Sequence, residues 1–362
     1  MQITKQSDGK LYNPNLHKET KPAYNSLDVC KLIMAICVVA IHTQPFANAS
    51  NSRLYALYSL VAAMAVPFFF LTSGYLLGNK LCISSEPQHA VAAVNKQLAK
   101  IVKMYLIWNA IYLPLAIYGY YLDGNSLFLS IYYYMKGLIL IGEHYNSWQL
   151  WYLLSSIYAL IVISVSLRFG ARIRSFPIIS LLAAIISIGV NELVLYSGTL
   201  PGVLQLLRKI FFITIMNGRI IQGLIYLPVG IYLAQKPLTT KVCFPLFILT
   251  FLCNYFVENR AISSVLLVFT SIAFFGIICS IRLKDRAIYP ILRNLSTKIY
   301  LVHMYVWTAY YLAVYGETTV GLDCFVITTT VSFLISYLYY LLEKRIMSKY
   351  AFKNTLENAK IH

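Results

Sequence analysis

A carboxylate, a cation and an imidazole share one face of the first long apolar segment. Eleven residues separate Lys31 from His42, which leaves them about 20° out of line on a helix turning 100° per residue. Asp28 lies fourteen residues before His42, about 40° off and on the same face. The positions between Lys31 and His42 are apolar (Leu32 to Ile41). Ionisable residues inside a hydrophobic span are costly and mark functional sites by default. A neutral imidazole titrating near physiological pH suits general acid–base catalysis. A cation at Lys31 would hold a phosphate or stabilise developing negative charge. Asp28, one turn from Lys31, reads equally well as its charge partner.

Other groups recur along the chain. The second apolar segment ends in Phe68-Phe69-Phe70-Leu71-Thr72-Ser73-Gly74-Tyr75. There Gly74 permits close backbone approach, for a ligand or for a packed helix. Lys96, Lys100 and Lys103 follow at helical spacing, fit either to clasp phosphates or to anchor the chain at a membrane surface. Trp148 and Trp151 flank the start of a later span, just after Glu143 and His144. Such tryptophans are ordinary at a membrane interface and also stack on sugars. Glu192, Arg219, Glu258 and Arg260 sit at span ends facing the same side, where they would line an acceptor pocket or merely mark the interface. Near the C-terminus His303 is a second buried imidazole, with a structural hydrogen bond as its plain role.

These groups must be positioned by membrane helices. Apolar residues make up 59% of the chain and charged residues 12%, against about 25% charged in soluble domains. The composition predicts an all-α polytopic bundle of about ten spans. They read as 27–47, 54–78, 104–122, 148–167, 176–196, 219–235, 242–258, 261–281, 298–315 and 320–342, with 127–142 and 200–215 interfacial or re-entrant. Of the 30 lysines and arginines, only Arg53, Lys136, Arg208, Lys209, Arg219 and Arg260 fall outside if the N-terminus is inside. That bias predicts an even number of spans with both termini cytoplasmic. It also accounts for the net charge of +17 without nucleic acid. Lys31 then lies near the cytoplasmic boundary and His42 about 16 Å further along, past the midplane. The face between them is expected to form a polar stripe linking the two compartments.

The expected organisation is a cytoplasmic segment 1–26, a transmembrane domain 27–345 and a cytoplasmic tail 346–362. The polar opening lacks the form of a secretory signal, so the first span is expected to be retained. Seven cysteines form no C-x-x-C pair, so neither a metal site nor a disulfide framework is expected. No nucleotide-binding loop, H-E-x-x-H or serine elbow is present.

In this order and spacing the motifs resemble those of the bacterial integral-membrane acyltransferase family 3, over about residues 26–345. The leading Asp28, the basic Lys31 and His42 match the family's first span. Phe68–Leu76 match the end of its second. Lys100 and Lys103 match a basic pair in the following segment, and Ser296, Ile299, Tyr300, Leu301 and His303 match a late motif. At Lys31, Lys100 and Lys103 the family more often has arginine, and lysine loses the bidentate fork. The resemblance implies transfer of an acyl group, usually acetyl from acetyl-CoA, to a hydroxyl of a cell-envelope glycan or related surface molecule. Some relatives fuse an extracellular hydrolase-like domain; none is expected here, so the chain is expected to act alone or with a separate partner.

The resemblance thus assigns catalysis to His42, Lys31 and Asp28, and the acyl-CoA site to Ser73, Gly74, Tyr75, Lys100 and Lys103. Trp148, Trp151, Glu192 and His303 would face the acceptor, in a bacterial cytoplasmic membrane. Two alternatives stay open on the residues alone: a transporter or flippase with a polar permeation path, and a ligand-binding module without turnover.

Overall fold

The computed structural model describes residues 24–47, 52–81, 87–214, 219–316 and 319–359. Most of the expected segment 1–26, and Cys82, lie outside the described residues. Within them the chain is helical, with no strand. A chain in hydrocarbon must satisfy its backbone polar groups internally, and a helix does so within one segment.

The helices are α1 (Asn25–Thr43), α2 (Ser52–Ala63), α3 (Ala65–Leu81), α4 (Pro87–Leu122), α5 (Leu127–Lys136), α6 (Trp151–Arg168), α7 (Phe176–Leu195), α8 (Gly202–Thr214), α9 (Gln222–Gln235), α10 (Thr240–Phe256), α11 (Arg260–Ser280), α12 (Ile288–Val314) and α13 (Leu322–Ala359). Each predicted span falls on helix, with α2 and α3 together making the second. Among the described residues, seven helical stretches are long and apolar enough to cross a membrane. The number rises to eight if α8 and the stretch Arg219–Gln235, bent at 70° to each other, count as one broken span. This multi-pass helical bundle is the architecture that the composition predicts. The helix α10 is shorter, at 17 residues. Lys298, His303 and several hydroxyls dilute the apolar character of α12. The short α5 buries no side chain, as an interfacial piece would. Because α13 runs unbroken to Ala359, the boundary expected at 345 falls inside a helix.

The inner helices are α1, α3, α6, α9 and α12. α1 packs along α12 and α3, α3 along α9, and α6 along α4 and α9. α4 and α13 sit at the periphery and expose apolar residues such as Leu106, Ile107, Ile335 and Leu338. We call the end where α1 begins the lower end and the end where it stops the upper end. The first residue of the α13 turn, Gly321, donates its N–H to the Thr43 carbonyl at the upper end (2.8 Å).

Gly74 is a packing residue. A Cβ there would lie 2.1 Å from the Leu227 carbonyl oxygen and 3.1 Å from the Gly230 Cα. The α3 and α9 backbones touch at this point, as small residues permit between membrane helices. Gly74→Ala must therefore push α9 away, at a cost of about 1–3 kcal/mol or more. A lowered melting temperature in detergent is the expected result, and an unchanged one would show that the contact is loose.

Candidate active site

The lower end of α1 holds a buried ion cluster. Asp28 is 1% exposed and takes a two-pronged contact from Arg293 of α12: Nε to Oδ1 at 2.8 Å and Nη2 to Oδ2 at 2.5 Å. Lys31 stands 3.7 Å from the same carboxylate. The fork that lysine cannot supply at position 31 thus comes from α12. Nothing local in the sequence marks Arg293, which reads as one basic residue among five in its segment; its partner is 265 positions away.

The expected polar stripe is not continuous. Between Lys31 and His42, Ala35 and Val39 of α1 pack with Leu295 and Ile299 of α12, and all four are buried. Leu32, Phe69 and Phe325 pack against them. Aliphatic side chains of the two helices meet there, so the stripe is interrupted midway. Asp28 and Lys31 form an ion cluster with Arg293 and do not meet His42.

At the upper end His42 meets a different set. Its ring centroid is 5.3 Å from that of His303 and 5.8 Å from that of Trp148. Trp148 in turn lies 5.5 Å from Trp307, and Trp307 lies 5.0 Å from Tyr311. Two imidazoles therefore sit together under a cap of aromatic rings. His303 is 0% exposed. Its Nδ1 lies 3.2 Å from the Ile299 carbonyl, while its Nε2 has no hydrogen-bond partner. A carbonyl only accepts, so the proton belongs on Nδ1 and Nε2 presents a lone pair. Such a nitrogen can accept a proton from a bound hydroxyl.

The elements that set this geometry are locked to one another. The helical turn Trp148–Leu150 carries the buried Gln149, which accepts from the Tyr300 hydroxyl (2.5 Å) and donates to the Leu301 carbonyl (3.3 Å). That fixes Trp148 over the histidines. Asn146 donates to the Tyr311 hydroxyl at 2.6 Å, and Trp307 Nε1 donates to the Thr319 carbonyl at 3.2 Å. Arg219 stands 3.6 Å from Glu143. Burial raises the Glu143 carboxyl above its ordinary range, and Arg219 partly offsets this. Burial pushes the neighbouring His144 down to about 4; its ring is stacked on Tyr134 at 4.5 Å.

A series of aromatic contacts reaches the histidine pair from α3. Ser73 Oγ lies 3.1 Å from the Tyr152 hydroxyl. The Tyr152 ring is 5.6 Å from Tyr300, and Tyr300 is 6.2 Å from His303. These ring contacts join α3, α6 and α12 to the histidine pair, while the Tyr300 hydroxyl itself donates to the Gln149 carbonyl. The sequence names Ser73 and Tyr300 but carries no signal that joins them through Tyr152.

The remaining predicted residues scatter. Tyr75 lines a cleft of about 220 Å³ at the lower end with Cys279 and Arg282. Lys100 and Lys103 are exposed on α4. Trp151 turns into the core against Phe70, at 6.2 Å, and lies beneath Gly142. Glu192 is half-buried on α7, which packs on α9 and on the turn Arg219–Ile221. Glu258 and Arg260 are exposed at the turn between α10 and α11. Among the described residues no group of His, Cys, Asp or Glu assembles that would hold a metal ion.

Residues 24–341 match the model of the acyltransferase 3 family, described as an acyltransferase domain. The chain belongs to the acyltransferase 3 family. The motifs around His42, Phe68–Leu76 and Ser296–His303 all lie within the matched region, as the resemblance requires. The chain is also 31% identical over 135 residues to an amino-acid racemase from Enterococcus faecalis, covering 37% of this chain and 17% of that protein. A second amino-acid racemase from that organism is 34% identical over 145 residues, covering 40% and 20%. A serine/alanine racemase from Enterococcus gallinarum is 32% identical over 96 residues, covering 26% and 13%. The matched segments thus span a fifth or less of these relatives. No solved structure matches the chain.

Proposed function

We propose that this membrane acyltransferase moves an acyl group, acetyl first among candidates, from acyl-CoA on the cytoplasmic side to a hydroxyl at the upper end. The hydroxyl would belong to a cell-envelope glycan or a related surface molecule. The observation that carries the reading is the meeting of His42 and His303, from two helices that bear family motifs, under Trp148 and Trp307. The lower end is taken as cytoplasmic because the basic residues concentrate there.

The donor would enter past Tyr75 and Arg282 and reach the histidines by way of the Ser73, Tyr152 and Tyr300 side chains. Lys100 and Lys103 would attract its phosphates from solvent. His42, supported by His303, would take the proton of the acceptor hydroxyl as its oxygen attacks the thioester carbonyl. The C–S bond breaks, the proton returns to the departing thiolate, and no proton is gained or lost overall. Arg219 would stabilise charge developing on the carbonyl oxygen. Trp148 and Trp307 offer apolar faces to a sugar ring.

The names of the racemase relatives favour one second reading. In it, the segment shared with them binds or carries a small amino acid and performs no chemistry. Purified protein in vesicles separates the two. Radiolabelled acetyl-CoA is expected to lose its label to water or to an added hydroxyl acceptor. Silence in that assay, together with uptake of radiolabelled serine, would overturn the transferase reading.

A further inference from the structure

A cleft of about 530 Å³ opens between α4, α12 and α13, away from the histidine pair. We propose that it binds one anionic glycerophospholipid from the membrane leaflet at the lower end. The volume suits a ligand-sized guest.

The walls give its direction of entry. α4 and α13 are the peripheral helices, and their residues lining the cleft are themselves exposed: Ile107 47%, Ile335 41% and Tyr339 53%. In a bilayer these positions face lipid, so the cleft fills sideways from the membrane.

The chemistry changes along its length. The lower part presents Arg293 and Lys298, with Asn294 between them. The Arg293 side chain stays 53% exposed while it holds Asp28, so part of the guanidinium is free to meet a second anion. Lys298 bonds Glu343 at 2.5 Å and lies 4.5 Å from the Tyr339 ring centroid. Counting Lys31, Arg293 and Lys298 against Asp28 and Glu343, this end carries one net positive charge. Basic pockets between membrane helices on the positively biased side suit phosphate headgroups. Above, the lining turns apolar with Trp108, Leu301 and Val302, as an acyl chain requires.

A further group points to an ester. Ser336 lines the cleft, is 1% exposed, and its hydroxyl has no hydrogen-bond partner. It lies two helical turns above Glu343, about 10 Å along α13. A buried hydroxyl without a partner is costly. A glycerol ester carbonyl lies between phosphate and chain, and would accept its proton.

Native mass spectrometry tests this on full-length protein released from vesicles of phosphatidylcholine and phosphatidylglycerol in a 4:1 ratio. The wild type is expected to retain one phosphatidylglycerol, enriched about tenfold over the vesicle ratio. Val302→Trp fills the cleft and is expected to abolish retention. Ile335→Trp, at a more exposed position, does the same if the first variant fails to fold. Lys298→Gln removes the cation beside Glu343, which keeps only the Asn294 amide, and lowers the preference for the anionic lipid several-fold. Retention unchanged in a folded cleft-filling variant, or equal retention of phosphatidylcholine, overturns the proposal. Release of the lipid by acetyl-CoA would instead make the cleft the donor entrance and also overturn it. The readout is retained lipid, so it stands or falls separately from acyl transfer.

Discussion

His42→Ala is expected to remove acyl transfer while leaving the bundle folded. A positioned proton acceptor contributes roughly 10²–10⁴ in rate, and alanine retains none of it. The structural cost is small by comparison. His42 occupies the last turn of α1, half-buried, and alanine is the best helix former. The expected result is a rate lower by at least two orders of magnitude, with a melting transition close to that of the wild type. His303→Ala is the harsher change, because it also empties a fully buried site against Ile299. Acyl transfer at the normal rate by folded His42→Ala protein would show that the histidine pair is packing alone.

Arg293→Ala is expected to destabilise the protein by about 1.5–3 kcal/mol, the usual loss of hydrogen bonds to a charged group. Asp28 would be left 1% exposed with only Lys31, 3.7 Å away, for compensation. Asp28→Asn removes the charge itself and leaves an arginine that is half in solvent, so its loss should be smaller. The double variant should then be more stable than the sum of the two single losses predicts, since residues in one network couple. Unfolding in denaturant, measured for all four proteins, gives the coupling directly. Strict additivity would mean that the α1–α12 junction does not depend on this pair. Membrane insertion would be unaffected in either case, because hydropathy governs it.

The late motif was legible because its register is local. Ser296, Ile299 and His303 recur on one face of α12 at helical spacing, whatever packs against it. The α1 stripe failed for a related reason. Two residues 20° apart on a helix share a direction, but the space between them belongs to the neighbouring helix. Leu295 and Ile299 closed it. Gly74 was readable as a ligand cradle or as a packing site, and its packing contact appears only once the Leu227 carbonyl lies against it. Lys100 and Lys103 share a face by spacing, yet spacing is silent on what that face meets.

Local physics thus settled that this chain would be a bundle of membrane helices and roughly where the apolar segments lie, while α4, α12 and α13 run well past the apolar stretches. Span length, apolar content and charge bias are properties of neighbouring residues in a bilayer. Tertiary structure alone decided the partners: Arg293 for Asp28, His303 for His42, and Tyr152 as the link between Ser73 and Tyr300. Those pairings join residues that are 79 to 265 positions apart for the directly bonded ones. They exist only once the helices pack, because each side chain fills whatever space its neighbours leave.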